Sequence, residues 1–269
     1  MAIAIKKIDR ASEEIELLDQ HIREENLLNE NKAKLEARYN ADSGKHEIYL
    51  SNVPNLDELR AQVSITVSTI VHWLRSALDN MVYERALVNT HDNIQNASQL
   101  QFPIVDSQSE FGNVAARQIS ELSSQDQAII ESFQPYHGVD GRSDSFSGPY
   151  IHQLSLLRNI SNTDKHREAV NISVDPNSFE TTAIASPIMD SWSKWTIANP
   201  KEYFGTFRPA EMRVGAVAFE AVVDGKPLKA PAFAGYAVAH FSLDEGRSLI
   251  PTLRRIDSYV RNVVEEIYD

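Results

Sequence analysis

The run LDELRAQVSITVSTIVHWLRSALDNMVYERALV, residues 56–88, reads as one long helix beginning just after Pro54. Leu59, Val63, Val67, Ile70, Val71, Leu74, Leu78, Met81 and Val82 recur at helical intervals and cover much of its circumference, which predicts a central, mostly buried helix. Upstream, residues 3–31 read as another helix, because Ile8, Ile15 and Ile22 recur every seven residues with Ala11 and Leu18 between them. A stripe of barely three heptads suits packing within the chain, with a homodimer through helical surfaces as the other candidate. Between the two helices lies a hairpin pattern. Leu35, Ala37 and Tyr39 alternate with Glu36 and Arg38, Asp42-Ser43-Gly44 turns the chain, and Ile48 and Leu50 return.

Downstream, residues 89–109 are loop-like and hold the short extended piece Gln101-Phe102-Pro103-Ile104. Helices are expected near 110–119 and from Ser124 to just before Pro135, with the Ser124 hydroxyl as N-cap and Gln127 three residues on. Three glycines between 138 and 148 mark a loop, and a helix over about 149–163 carries Ile151, Leu154, Leu157 and Ile160. From Arg167 the pattern changes to strands at 170–174, 182–188, 212–223 and 236–243. The last helix, about 249–268, bears Leu249, Leu253, Ile256, Val260, Val263 and Ile267 at spacing 4-3-4-3-4, and Pro251 is tolerated because it falls in the first turn.

These elements predict an α+β fold: a core of long helices, an early hairpin and a late antiparallel β portion closed by a terminal helix. The apolar face of that last helix is most economically covered by the N-terminal helices. One unit over 1–269 is therefore expected, helical to about residue 166 and β-rich from about 167.

Composition narrows the chemistry. With 42% apolar and 24% charged residues in 269, an ordinary core is available. The absence of cysteine removes disulfides, thiolate metal sites and cysteine nucleophiles, and fits a reducing compartment. Lys6, Lys7, Asp9 and Arg10 interrupt any signal-peptide core, and no run approaches the roughly 20 apolar residues of a membrane span, so a cytoplasmic location is expected. A formal charge of −12 argues against coating nucleic acid through the net field, while leaving room for a local basic cleft.

The strongest functional candidate is a line of polar groups on the 56–88 helix. His72, Arg75, Asp79 and Tyr83 are spaced 3, 4 and 4, which puts them on one face. Arg75 and Asp79 can pair, as charges on an apolar helix generally must. Asp164-Lys165-His166-Arg167, at the end of the 149–163 helix, is the expected partner cluster. One reading makes this a buried ion-pair network that fixes helix register. The other makes it a site, with Arg75, Asp79 and His166 as catalytic candidates and His72, Asn80, Asp164, Lys165 and Arg167 as binding candidates.

The run Val71-His72-Trp73-Leu74-Arg75-Ser76-Ala77-Leu78-Asp79-Asn80 resembles the HNLRSALDHL segment of a widespread, uncharacterised bacterial protein family. Gln101-Phe102-Pro103-Ile104, Gln134-Pro135-Tyr136 and Asn162-Thr163-Asp164-Lys165-His166-Arg167 follow in the same order. That helix is also loosely similar to HEPN proteins, helical domains that include metal-independent RNases and recur in bacterial toxin and phage-defence systems. The HEPN resemblance implies a helical bundle, an Arg that holds a phosphate and, a few residues later, a His that handles the proton of an attacking 2′-hydroxyl. RNA would be the partner. This chain has Arg75 but carries Asn80 where that His would stand, and an amide cannot take the proton. His166 follows Arg158 at a longer spacing.

Other chemistries find less in the residues. His72, His152 and His166, with Asp79 or Asp164, lack the i, i+4 arrangement of a helical metal site, so no metal is expected. Gly138, Gly141 and Gly148 match no phosphate or dinucleotide loop, no Gly-x-Ser-x-Gly elbow occurs, and no cofactor is expected. Trp73, Trp192 and Trp195 read as packing aromatics, and Arg254, Arg255 and Arg261 as a solvated face. Two functions remain: a HEPN-like RNA-directed protein, active or degenerate, and a non-catalytic ligand-binding or assembly module with an architectural ion-pair cluster.

Overall fold

The computed structural model describes residues 2–31, 33–43, 45–138, 151–165, 170, 172–175, 182–184, 214–215, 217–221, 234–237, 240–243 and 247–269. The fold is α+β. Among the described residues six α-helices occur: α1 (Ile3–Leu27), α2 (Asp57–Thr90), α3 (Gln108–Gln118), α4 (Ser124–Ser132), α5 (Gln153–Lys165) and α6 (Leu249–Tyr268). The described strands are β1 (Ala33–Asn40), β2 (Lys45–Asn52), β3 (Ser173–Asp175), β4 (Thr182–Ile184), β5 (Val217–Ala221), β6 (Ala234–Ala237), β7 (His240–Leu243) and β8 (Arg247–Ser248).

The chain divides into two compact units. The first comprises Met1–Gln20, Ala61–Ile172 and Leu243–Asp269, and the second His21–Arg60 and Ser173–Ser242. The division falls inside α1 and inside α2, so both helices are shared.

In the first unit α2 supplies the longest apolar surface. Val63, Val67, Ile70, Val71, Leu74, Ala77, Leu78, Met81, Val82 and Ala86 are all buried. The helix ends at Thr90, after which His91 and Asp92 take left-handed backbone angles (φ 51° and 64°) that stop it. The α1 stripe Ala4, Ile8, Ala11, Ile15 and Leu18 and the α6 stripe Leu249, Leu253, Ile256, Val260, Val263 and Ile267 are buried at the spacing their sequences give. The two helices run antiparallel, as the polar groups flanking the stripes show. Arg254 forks to Glu16 and Asp19, Ser12 bonds Asp257, and Arg261 reaches Asp9. Arg254 and Arg261 are thus interhelical partners and not simply a solvated face. Glu84 of α2 gathers one end of the bundle: it accepts from the Ile3 amide at 2.9 Å and from the Tyr268 hydroxyl.

α4 is capped one residue earlier than the sequence suggests. Ser123, not Ser124, accepts from the backbone at Asp126 (3.1 Å), and Gln127 instead donates to the Leu122 carbonyl. Asp126 is buried where its two carboxylate oxygens accept from Nη2 and Nε of Arg85, at 3.0 and 3.1 Å.

In the second unit the early hairpin joins the late strands in one antiparallel sheet, with order β4-β6-β1-β2-β5. The hairpin turn is fixed by Asn40, whose side-chain oxygen accepts from the amides of Asp42 and Ser43. Arg38 stands opposite Glu47 and Glu36 opposite Tyr49. Glu47 is buried, and hydrogen bonds from Asn40 and Arg38 hold its carboxylate below the ordinary range. β3 pairs antiparallel with β7. The expected single strand over 236–243 is two, β6 and β7.

Candidate functional site

Arg75 and Asp79 lie one turn apart on α2 and pair at 3.0 Å. Neither stops at its partner. Arg75 Nη2 donates to the Phe102 carbonyl at 2.7 Å, and Asp79 Oδ1 accepts from the Phe102 amide at 2.9 Å. The pair therefore holds both backbone groups of one residue, as a neighbouring strand would. It is only partly enclosed, with Arg75 15% and Asp79 34% exposed.

Phe102 opens a stretch that belongs to no helix or strand yet is buried through Val105. Buried backbone needs hydrogen-bond partners, and here side chains provide them. Gln134, fully buried, accepts from the Val105 amide and donates to the carbonyls of Pro103 and Ile130, all at 3.0–3.1 Å. Arg158 of α5 donates to the Ile104 carbonyl at 3.3 Å and pairs with Asp106 at 2.6 Å, and Ser155 also donates to Asp106. Burial pushes the Asp106 carboxyl up, but the bonds from Arg158 and Ser155 outweigh it and hold it below the ordinary range. Residues 102–106 are thus pinned from α2, from the end of α4 and from α5.

Behind this segment His152 caps α5, its Nδ1 accepting from the Leu154 amide at 3.2 Å. With Nδ1 an acceptor, the neutral ring carries its proton on Nε2, which faces Tyr259 Oη at 3.0 Å, while Tyr259 donates to the Phe133 carbonyl. Burial lowers the His152 pKa, against the opposing pull of Asp106. The neutral form is the one this arrangement uses. The unfolded chain takes up that proton first, so the contribution of His152 to stability is present above pH 6.5 and lost as pH falls through the depressed folded value.

A cleft of about 240 Å³ opens along the pinned segment. Arg75, Arg158, Gln101, Gln118, Ser161 and Asn162 supply its polar lining, and Phe102, Ile104, Val105 and Val114 the rest. Asp79 and Asp106, which hold the two arginines, are not part of that lining. Among the described residues the lining contains no histidine, carboxylate or tyrosine. It offers cations and hydrogen-bond donors without a group that titrates near neutrality.

The predicted residues fall as follows. Arg75 and Asp79 meet, and Arg75 reaches the cleft. His72 is exposed beside Trp73, with ring centroids 6.2 Å apart, and Tyr83 is 42% exposed, so the polar line on α2 follows the rim of the buried face. Asn80 is partly exposed on the same helix. Asp164 and Lys165 end α5, but their side chains, and all of His166 and Arg167, lie outside the described residues, as do Trp192 and Trp195. The expected meeting of Arg75 or Asp79 with the 164–167 turn lies there too.

Sequence reasoning missed Gln134 and Arg158 as functional side chains, and the Arg85–Asp126 pair entirely. Gln134 stands in the Gln134-Pro135-Tyr136 motif directly after a helix, which was its available signal. Among the described residues no group of three or more histidines or carboxylates is placed to hold a metal ion, and no helix is long and apolar enough to cross a membrane. Comparison with protein-family models, with curated proteins and with solved structures finds no match.

Proposed function

We propose that the chain is a non-catalytic ligand-binding module in which Arg75 and Asp79 are architectural. One observation carries this reading: the Arg–Asp pair spends its bonds on the amide and carbonyl of Phe102, fixing the wall of a cleft whose described lining has no proton-transfer group. An RNase of the metal-independent type needs a base within reach of the 2′-hydroxyl. Asn80 is not one.

The HEPN-like, RNA-directed reading keeps one observation in its favour, since Arg75 both lies in the helix that carries the resemblance and lines the cleft. RNA cleavage in EDTA separates the two. The module reading expects no cleavage by the unmodified chain and none by Asn80→His. A gain of about 10²–10⁴-fold in Asn80→His, abolished by adding Arg75→Ala, returns the protein to the RNase class. Strong cleavage by the unmodified chain does so directly.

A further inference from the structure

The arrangement of charge around the cleft is directional. Two arginine–aspartate pairs flank it, Arg75–Asp79 from α2 and Arg158–Asp106 from α5, and each sums to zero. Both arginines line the cleft and neither aspartate does. A ligand in the cleft meets the positive end of each pair, and the aspartates orient the arginines as fixed supports would. Among the described residues, hydrogen bonds engage Nη2 of Arg75 and Nη1 and Nη2 of Arg158, which leaves Nε and Nη1 of Arg75 and Nε of Arg158 for a ligand. Gln101, Gln118 and Asn162 add amide donors and Ser161 a hydroxyl.

We infer that this cleft binds the phosphoryl head of a small phosphomonoester. The inference rests on the ligand-binding reading above and adds the class of ligand. Two observations select that class. Each pair is neutral overall but lines the cleft with its arginine alone, which favours an anion, and donors from six side chains exceed what the two oxygens of a carboxylate can use, whereas three phosphoryl oxygens can accept them. The volume, about 240 Å³, seats a head and a short body, with Phe102, Ile104, Val105 and Val114 to meet apolar atoms.

Substituting either arginine would unpin residues 102–106, so the test uses Gln118, which lines the cleft near the end of α3 and whose side chain is not one of the pins. Binding of phenyl phosphate is measured calorimetrically against benzoate, which has the same ring on a carboxylate, inorganic phosphate, and an RNA oligomer lacking terminal phosphates. Phenyl phosphate should bind the unmodified chain more tightly than benzoate or the oligomer, with inorganic phosphate between. Gln118→Glu, which adds a negative charge inside the cleft, should weaken phenyl phosphate binding by about tenfold or more, and Gln118→Lys should strengthen it. Equal affinity across the three forms overturns the inference, as does benzoate binding as well as phenyl phosphate, or no binding of any probe at millimolar concentration. Preference for the oligomer moves the site to a phosphodiester backbone and overturns it too. An RNA-cleavage assay on the same preparation keeps the two proposals apart: cleavage removes the module reading whatever the calorimetry gives, while absent binding without cleavage removes only the phosphomonoester.

Discussion

Along the α1–α6 seam each helix satisfies its own backbone, and side chains need only bury their apolar stripes. At residues 102–106 the reverse holds. The backbone there has no ladder of its own, and Arg75, Asp79, Gln134 and Arg158 complete it from elsewhere in the first unit. The polar side chains of the two regions therefore carry different energetic weight. On the seam, Arg254 and Arg261 reach acidic partners across half-exposed surface, where ion pairs are worth little. In the pinned segment, removing a polar side chain leaves buried amides and carbonyls without partners, and that desolvation is not recovered.

This contrast can be broken at three points. The largest effect is expected from Gln134→Leu, which keeps the volume but strips partners from the Val105 amide and the Pro103 and Ile130 carbonyls. Urea unfolding should show a loss of about 4 kcal/mol. A loss under about 1 kcal/mol would mean that water or a rearranged backbone replaces the amide readily. Asp79→Ala should cost about 2 kcal/mol, less than a sealed pair would, because a third of the Asp79 side chain is exposed and Arg75 keeps its bond to the Phe102 carbonyl. If it matches or exceeds Gln134→Leu, the Arg–Asp pair is the dominant pin. Arg254→Ala on the seam should cost less than about 1 kcal/mol, and 1 M salt should erase most of the difference. A larger, salt-insensitive loss there would erase the contrast between the two regions.

The difference also explains what the sequence made legible. Helix stripes are local, so spacing alone reads α1, α2 and α6, and Pro251 falls in the first turn of α6 as expected. The hairpin was legible for the same reason, but its place in the middle of a sheet was not, because strand order depends on residues nearly two hundred positions away. The α4 cap falls one residue earlier than expected because Ser123 and Ser124 are both competent caps. At the site, the Arg75–Asp79 pairing followed from an i, i+4 spacing. Its further partner did not, since that partner is the peptide backbone of Phe102, and an amide or carbonyl looks the same at every position in a sequence. Gln134 was hidden for that reason as well.

Proline at position 103 gives the pinned segment one more property. Having no amide hydrogen, it offers solvent nothing to exchange, and the amides of Phe102 before it and Val105 two residues after it are held by Asp79 and Gln134. A deuterium-labelling experiment should therefore find slow-exchanging amides outside any helix or sheet, on a rate scale set by side chains from other parts of the chain. Opening of this stretch then reports on α2 and the end of α4 together, so its isotope uptake is a clock for the disassembly of the first unit and not a measure of loop motion.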